Sequence, residues 1–408
     1  MIRNSHRIRR GAAALAVAAV GLGTCALAPL AAAGPLPSAP VGALNYTVDV
    51  NKSGASPGYI YYTTGVSAAA LVPGLGQTLS GVPQAAPANV VMDKAGHQVW
   101  RYDPPKGQDV SNFRAQTYQG KRVLTWWQGS TVGGHGTGED YIADEHGHII
   151  ETLDAGPGLS SDVHEFRLTP DGRALITAYH EVDADLSAVG GPKNGRMYDT
   201  VASVVDVASK KVLFRWSAAQ HVPLTDTTSS NSTPGSKVYD PYHMNSISLD
   251  PQGNLLISMR DTSTVYDVDI HTGKIRWQLG GKRSSFALGQ GVEFGFQHDA
   301  EFAGPDTIRL FNNNSTGSQN LGLSSVQWIH LDTATHRATL VRNQTHPSGL
   351  VAMAMGDAQG LPNGNTLVGW GMAPHISEFS PSGALVYDVS LPFGTYRAYL
   401  EDWSPTSK

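Results

Sequence analysis

Phe166-Arg167-Leu168-Thr169-Pro170-Asp171-Gly172-Arg173-Ala174-Leu175-Ile176-Thr177 reads as an apolar strand, a tight turn and a second apolar strand. Proline presets the first turn dihedral and glycine accepts the left-handed one, so the stretch is a β-hairpin by mechanism. The pattern returns as Ile247-Ser248-Leu249-Asp250-Pro251-Gln252-Gly253-Asn254-Leu255-Leu256-Ile257-Ser258, more loosely from Phe302 to Phe311, and again from Gly360 to Gly369. A second hairpin follows each first one, as around Ala95-Gly96, Glu145-His146-Gly147, His271-Thr272-Gly273 and Pro381-Ser382-Gly383. Two hairpins make a four-stranded sheet. Such units begin near Tyr59, Phe113, His164, His243, His298 and Leu350, which gives about six. Four strands per repeat and no helical periodicity predict an all-β chain, a six-bladed β-propeller of four-stranded antiparallel blades.

Composition agrees with many short strands. Glycine (45) and proline (24) together make about a sixth of the 408 residues, with no low-complexity tract to hold them. Hydrophobic residues at 40% with charges of both signs exclude a disordered chain. The net charge of −5 argues against a nucleic-acid partner, whose phosphates favour a basic stripe. Arg3, Arg7, Arg9 and Arg10 precede an uncharged apolar run, residues 11–33, that ends in Ala31 and Ala33. Basic head, apolar centre and small-residue exit predict a secretory signal over residues 1–33 and a secreted protein with no membrane association after cleavage. A Pro/Ala/Gly-rich linker and first strand then occupy 34–57, and a single propeller domain occupies 58–408. Removing residues 1–33 takes away four of the 29 basic residues and none of the 34 acidic ones, deepening the charge from −5 to −9. It also removes Cys25, the single cysteine, so disulfides, thiolate nucleophiles and cysteine-based zinc sites are excluded from the mature chain.

Three histidines fall at one place in the repeat. His164 lies six residues before Pro170, His243 eight before Pro251 and His298 seven before Pro305. First strands line a propeller's axis, so three residues at three strand starts are expected to converge at one mouth. Arg260 ends the second strand of the His243 unit, and a hairpin would return it to the same level. Three histidines can hold zinc. An arginine beside a dication is unfavourable, however, and imidazoles with a guanidinium better suit an oxyanion ester; no metal and no cofactor are expected. His135, in Gly133-Gly134-His135-Gly136, sits on a mouth loop within reach of substrate. His97, His146, His148 and His271 fall in outer turns and read as surface residues. Trp100, Trp216 and Trp277 recur near blade ends and read as packing between blades, whereas Trp126-Trp127 offers a weaker candidate for an aromatic acceptor wall.

These residues resemble a known family. Asp162-Val163-His164-Glu165, His243-Met244-Asn245-Ser246, Ser258-Met259-Arg260, Thr272-Gly273-Lys274-Ile275-Arg276-Trp277-Gln278-Leu279-Gly280-Gly281, Gln297-His298-Asp299-Ala300 and Leu361-Pro362-Asn363-Gly364-Asn365 together resemble the arylsulfotransferases, in their secreted actinobacterial and fungal branch. The resemblance runs over about residues 58–391. It implies a six-bladed propeller that moves a sulfuryl group from an aryl sulfate to a phenol without a nucleotide donor. It further implies that His298 is the nucleophile that becomes transiently sulfated. His164, His243, Asn245 and Arg260 then match residues that hold the sulfuryl and phenolic oxygens. The family's last active-site residues, near the C-terminus, find no match in the sequence. Two other classes stay open: a non-catalytic binding propeller, and a quinone-cofactor dehydrogenase, whose blade signature residues 272–277 also resemble. Against the dehydrogenase, the mature chain has no adjacent cysteine pair and no evident calcium constellation.

Overall fold

The computed structural model describes residues 46–65, 86–229 and 238–405; the signal segment expected over 1–33 lies outside them. Six antiparallel sheets of four strands each form the blades, and two of them carry a fifth strand. The predicted hairpins are all present: Phe166–Leu168 pairs with Arg173–Ala184, Met244–Leu249 with Leu255–Met259, His298–Phe302 with Thr307–Asn312, and Asp357–Gly360 with Thr366–Gly369. At the turn of the first of these, Gly172 has φ of +82°, the left-handed conformation that a side chain disfavours. Among the described residues no α-helix occurs, only three short 3₁₀ turns.

Both chain ends are sewn into the ring. The innermost strand of the first blade is Ala398–Glu401, paired with Tyr59–Thr64. Thr47–Asn51 pairs with Leu385–Ser390 on the outer edge of the sixth blade. Tyr59 therefore begins the second strand of its blade, not the first. The exchange gives the first blade an inner strand that its own sequence lacks, and it leaves the ring without a seam.

The core is distributed between blades. One apolar cluster fills each junction, for example Trp216, Met244, Ile257 and Tyr266 between the third and fourth blades. Trp100 stacks on Phe113 of the next blade at 5.4 Å, and Trp216 Nε1 donates to the Gly273 carbonyl of the next blade at 3.0 Å. The packing role expected for these tryptophans holds. Trp126 and Trp127 are fully buried: Trp126 packs in the junction of the first and second blades, and Trp127, donating to the Ser161 carbonyl, packs with Val163, Met355 and Tyr396.

Blades two and three differ from the rest. Their central strands, Lys121–Val132, Arg173–Ala184 and Gly195–Asp206, each run to 12 residues, whereas Leu255–Met259 and Thr264–Val268 of the fourth blade have 5. At roughly 3.3 Å per residue, the extra length stands about 20 Å beyond the blade body. It stands at the mouth where the strands of His164, His243 and His298 begin.

Candidate active site

The inner strands start at this mouth, and each of the third, fourth and fifth blades brings one histidine to it. The His164 and His243 rings lie 4.8 Å apart between centroids, and His135 lies 5.2 Å from His243. Tyr396, just before the C-terminal strand, joins the set: its ring is 5.7 Å from His164 and 6.4 Å from His298. Arg260 N–H donates to the His243 carbonyl at 2.9 Å, so the hairpin returns Arg260 to the strand start as the sequence predicts. Its guanidinium donates from Nε to Asp261 at 2.7 Å and lies 5.0 Å from the Phe296 ring. His164, His243, His298 and Arg260 are each at most 3% exposed.

Hydrogen bonds fix which nitrogen of each imidazole carries its proton. Asn313 Nδ2 donates to the carbonyls of Ala352 and Met355, both at 2.8 Å, which turns Asn313 Oδ1 toward His298 Nδ1 at 2.7 Å. The Phe296 carbonyl also faces Nδ1, at 3.0 Å. Two acceptors at Nδ1 require N–H there, so the lone pair sits on Nε2. In the resting site that lone pair accepts the Met355 N–H at 3.3 Å. His164 Nδ1 meets the Asp162 carboxylate and His243 Nδ1 meets Asp240. Each carboxylate also accepts its histidine's backbone N–H at 3.1 Å, which locks the ring to its own loop. The result is three imidazoles whose Nδ1 protons are all committed.

Electrostatics set the charge state. Burial above all pushes His298 well below the ordinary histidine range; Arg260, His164 and Arg397 add to this against the opposing Asn313 hydrogen bond. Burial and then Arg260 do the same to His243, although Asp240 pulls the other way. Burial lowers His135 too, against Asp240 and Asp162. Asp240 is itself held low by its histidines and Arg260, which outweigh the burial that would raise it. His135, His243 and His298 are therefore neutral imidazoles beside the permanent cation of Arg260.

Asn245 reaches across to the next blade. Its Nδ2 donates to the Gln297 carbonyl at 2.7 Å, tying the fourth blade to the residue before His298. Its Oδ1 is buried without a partner among the described residues. An acceptor of this kind fits a phenolic hydroxyl and not a sulfuryl oxygen. His97, His146, His148 and His271 sit in exposed turns, as expected.

Beneath the histidines the axis is filled by ion pairs. Arg397 Nη1 donates to Glu165 at 2.9 Å with both side chains fully buried, and Arg114 donates to the other Glu165 oxygen at 2.9 Å. Arg167 pairs with Glu301, which also accepts from Arg309 at 2.9 Å. Arg397 Nη2 donates upward to the Asn245 carbonyl at 2.9 Å. A larger cavity, about 660 Å³, opens at the far mouth against Arg114, Arg167 and Glu301. Its cations already have carboxylate partners, so chemistry is better sought at the histidine mouth.

Two sets of side chains have ligand atoms within metal-binding reach, His135, Asp240 and His243, and His346, His375 and Asp388. In the second set, Ser348 N–H donates to His346 Nδ1 at 3.1 Å. Its Nε2 faces Asp388 at 3.3 Å. Ser377 Oγ and His375 complete the shell around that carboxylate, at 2.6 and 3.2 Å. This is a carboxylate supplied with donors. In the first set the Nδ1 proton of His243 already serves Asp240.

The family model of arylsulfotransferases (ASST) matches residues 114–391, more than half of the chain and every residue of the histidine mouth before Tyr396. The chain belongs to the arylsulfotransferase family. No curated protein shows significant similarity to it. Solved structures with a similar course of the chain include a Bacteroides caccae protein of unknown function, at 14% identity and a TM-score of 0.49, covering 84% of this chain and 98% of that one. A second is a putative 6-phosphogluconolactonase from Bacteroides fragilis, at 10% identity and a TM-score of 0.42, covering 86% and 99%. Membership fits the six-bladed fold and an aryl-directed sulfotransferase.

Asn313, Asp162, Asp240, Tyr396 and Arg397 were missed in the sequence. Asp162 and Asp240 stood two and three residues before their histidines, a spacing that could have flagged them. Tyr396 and Arg397 carried no such signal, because their place at the axis comes from ring closure.

Proposed function

We propose that this arylsulfotransferase moves a sulfuryl group from an aryl sulfate to a phenol through an N-sulfohistidine on His298 Nε2. One observation supports this above all: Asn313 and Phe296 hold the proton on Nδ1, so the lone pair of the neutral, buried imidazole sits on Nε2, where the substrate sulfur would take the place of the Met355 N–H. In the first half-reaction Nε2 attacks sulfur, and the S–O bond to the aryl oxygen breaks with its electron pair leaving on the phenoxide. The phenoxide leaves with that pair and takes its proton from solvent, while His164, whose Nδ1 proton is held by Asp162, keeps the lone pair on its Nε2. In the second half a new phenol attacks sulfur and gives its proton to His164 Nε2, from which it passes to solvent, while the S–N bond breaks with its electron pair returning to His298 Nε2. Asn245 Oδ1 accepts the hydrogen bond of the arriving hydroxyl. Charge spreads over the sulfuryl oxygens in a loose transition state, where the Arg260 guanidinium stabilises them without reorganising. No nucleotide donor enters. The reaction is placed outside the cytoplasm, on the strength of the signal pattern in residues 1–33.

Protein quenched with 4-nitrophenyl sulfate and digested at alkaline pH is expected to carry about 80 Da, the mass of SO₃, on the His298 peptide. Turnover without any adduct there, or with the adduct on another residue, would overturn the assignment. N-terminal sequencing of the exported protein should begin near Gly34; retention of residues 1–33 in the exported form would remove the signal reading.

A further inference from the structure

The two long hairpins of blades two and three stand face to face over the histidine mouth and enclose a cleft of about 230 Å³. Its walls are aromatic. The His135 ring lies 4.2 Å from Tyr198 and 4.5 Å from Tyr179, with Val132 on the rim 77% exposed. The cleft borders the catalytic cluster through Tyr179, whose ring lies 5.6 Å from His164 and 5.8 Å from His243. Tyr179 is fixed by donating to the Met244 carbonyl at 2.6 Å.

His135 adds a polar feature to this wall. Its Nε2 faces the Asp240 carboxylate at 3.4 Å, and Asp240 is held in its charged form, so the proton of the neutral ring belongs on Nε2. The Nδ1 lone pair is then an acceptor. It is buried and has no hydrogen-bond partner among the described residues. A buried acceptor left empty carries a desolvation cost, which a ligand donor placed there would recover.

We propose that this cleft is the aryl subsite and that it selects single-ring phenols carrying a second ring hydroxyl, the hydroxyl donating to His135 Nδ1. The inference rests on the sulfuryl-transfer reading and specifies its substrate class. Size supports one ring: a cavity of about 150 Å³ takes a benzene, so the space here holds a ring with a small substituent and no fused system. Tyr198 supplies the ring contact and His135 the hydrogen bond.

The test measures transfer from 4-nitrophenyl sulfate to paired acceptors, catechol and 2-methoxyphenol, which differ in one donor hydrogen. Wild-type protein is expected to favour catechol roughly tenfold in kcat/KM. His135→Phe, which keeps a ring and removes the acceptor, should abolish that preference. Tyr198→Ala should raise KM for both acceptors and improve 2-naphthol relative to them, while Tyr198→Phe should restore the wild-type pattern. Equal use of the two acceptors by wild type, or a preference that survives His135→Phe, overturns the proposal. Calorimetric titration of catechol without a donor separates it from the parent reading. Binding that His135→Phe weakens, in a protein with no transfer activity, would keep the cleft and sink the sulfotransferase mechanism. No catechol binding and no transfer by wild type would sink both.

Discussion

The two levels of the axial channel are built from neighbouring residues and do opposite things with charge. At the mouth, His164, His243 and His298 are buried and two of them are pushed toward neutrality by that burial. One residue further along, Glu165 is equally buried yet held in its charged form, because Arg397, Arg167 and Arg114 overcome the burial that would raise it. The difference teaches that burial alone does not decide a protonation state; what faces the group does. The upper level keeps proton-carrying groups that can change state at modest energy. The lower level uses permanent ions, which tie the inner strands of different blades together and cannot exchange protons near neutrality.

Removing the nucleophile tests that contrast most severely. His298→Asn should lower transfer by at least about 10⁴-fold with an unchanged unfolding midpoint, measured with 4-nitrophenyl sulfate and phenol. An active variant would show that another residue bonds to sulfur. At the lower level the expected loss is of the other kind. Glu165→Gln leaves the Arg397 and Arg114 guanidiniums without their buried carboxylate and should destabilise the fold by about 3–5 kcal/mol in urea unfolding. A midpoint that does not move would mean that water reaches this network. Arg260→Met belongs to the upper level, and its kcat should fall by roughly 10²–10³-fold. If only KM changed, the guanidinium would be a ground-state binder.

The smallest effect is a pH dependence of stability. His135, His243 and His298 have folded-state pKa values below those of the unfolded chain, so the unfolded state binds more protons below about pH 6.5. Stability is then fully present above that pH and declines as pH falls through the lowered values. His375, raised by Asp388, and the buried carboxyls Asp140, Asp261, Asp267 and Asp357, raised chiefly by burial, act in the opposite sense over the same interval, so the imidazole contribution is read as a difference between variants. From pH 6.5 to 5.5 the wild-type urea midpoint should fall relative to that of His298→Asn. A difference of the opposite sign would show His298 to be charged in the fold.

The hairpin repeats were legible because turn chemistry is local: Pro170-Asp171-Gly172 encodes its own dihedrals wherever it stands. The in-register histidines were legible for a related reason, since equal distance from an equivalent turn means equal height on an equivalent strand. The burial of Trp127 and the engagement of the Asn245 amide were not, because both depend on what the neighbouring blade presents.

By itself, then, the sequence determined the blades, their order and the height of His164, His243, Arg260 and His298, all functions of local turn geometry and strand length. Tertiary structure alone decided that Ala398–Glu401 enters the first blade and carries Tyr396 and Arg397 to the axis. It also decided that Asn313 sets the tautomer of His298. Such partners are chosen by ring closure and by contacts between distant segments. No spacing along the chain records them, because a hydrogen bond depends on where two segments meet in space.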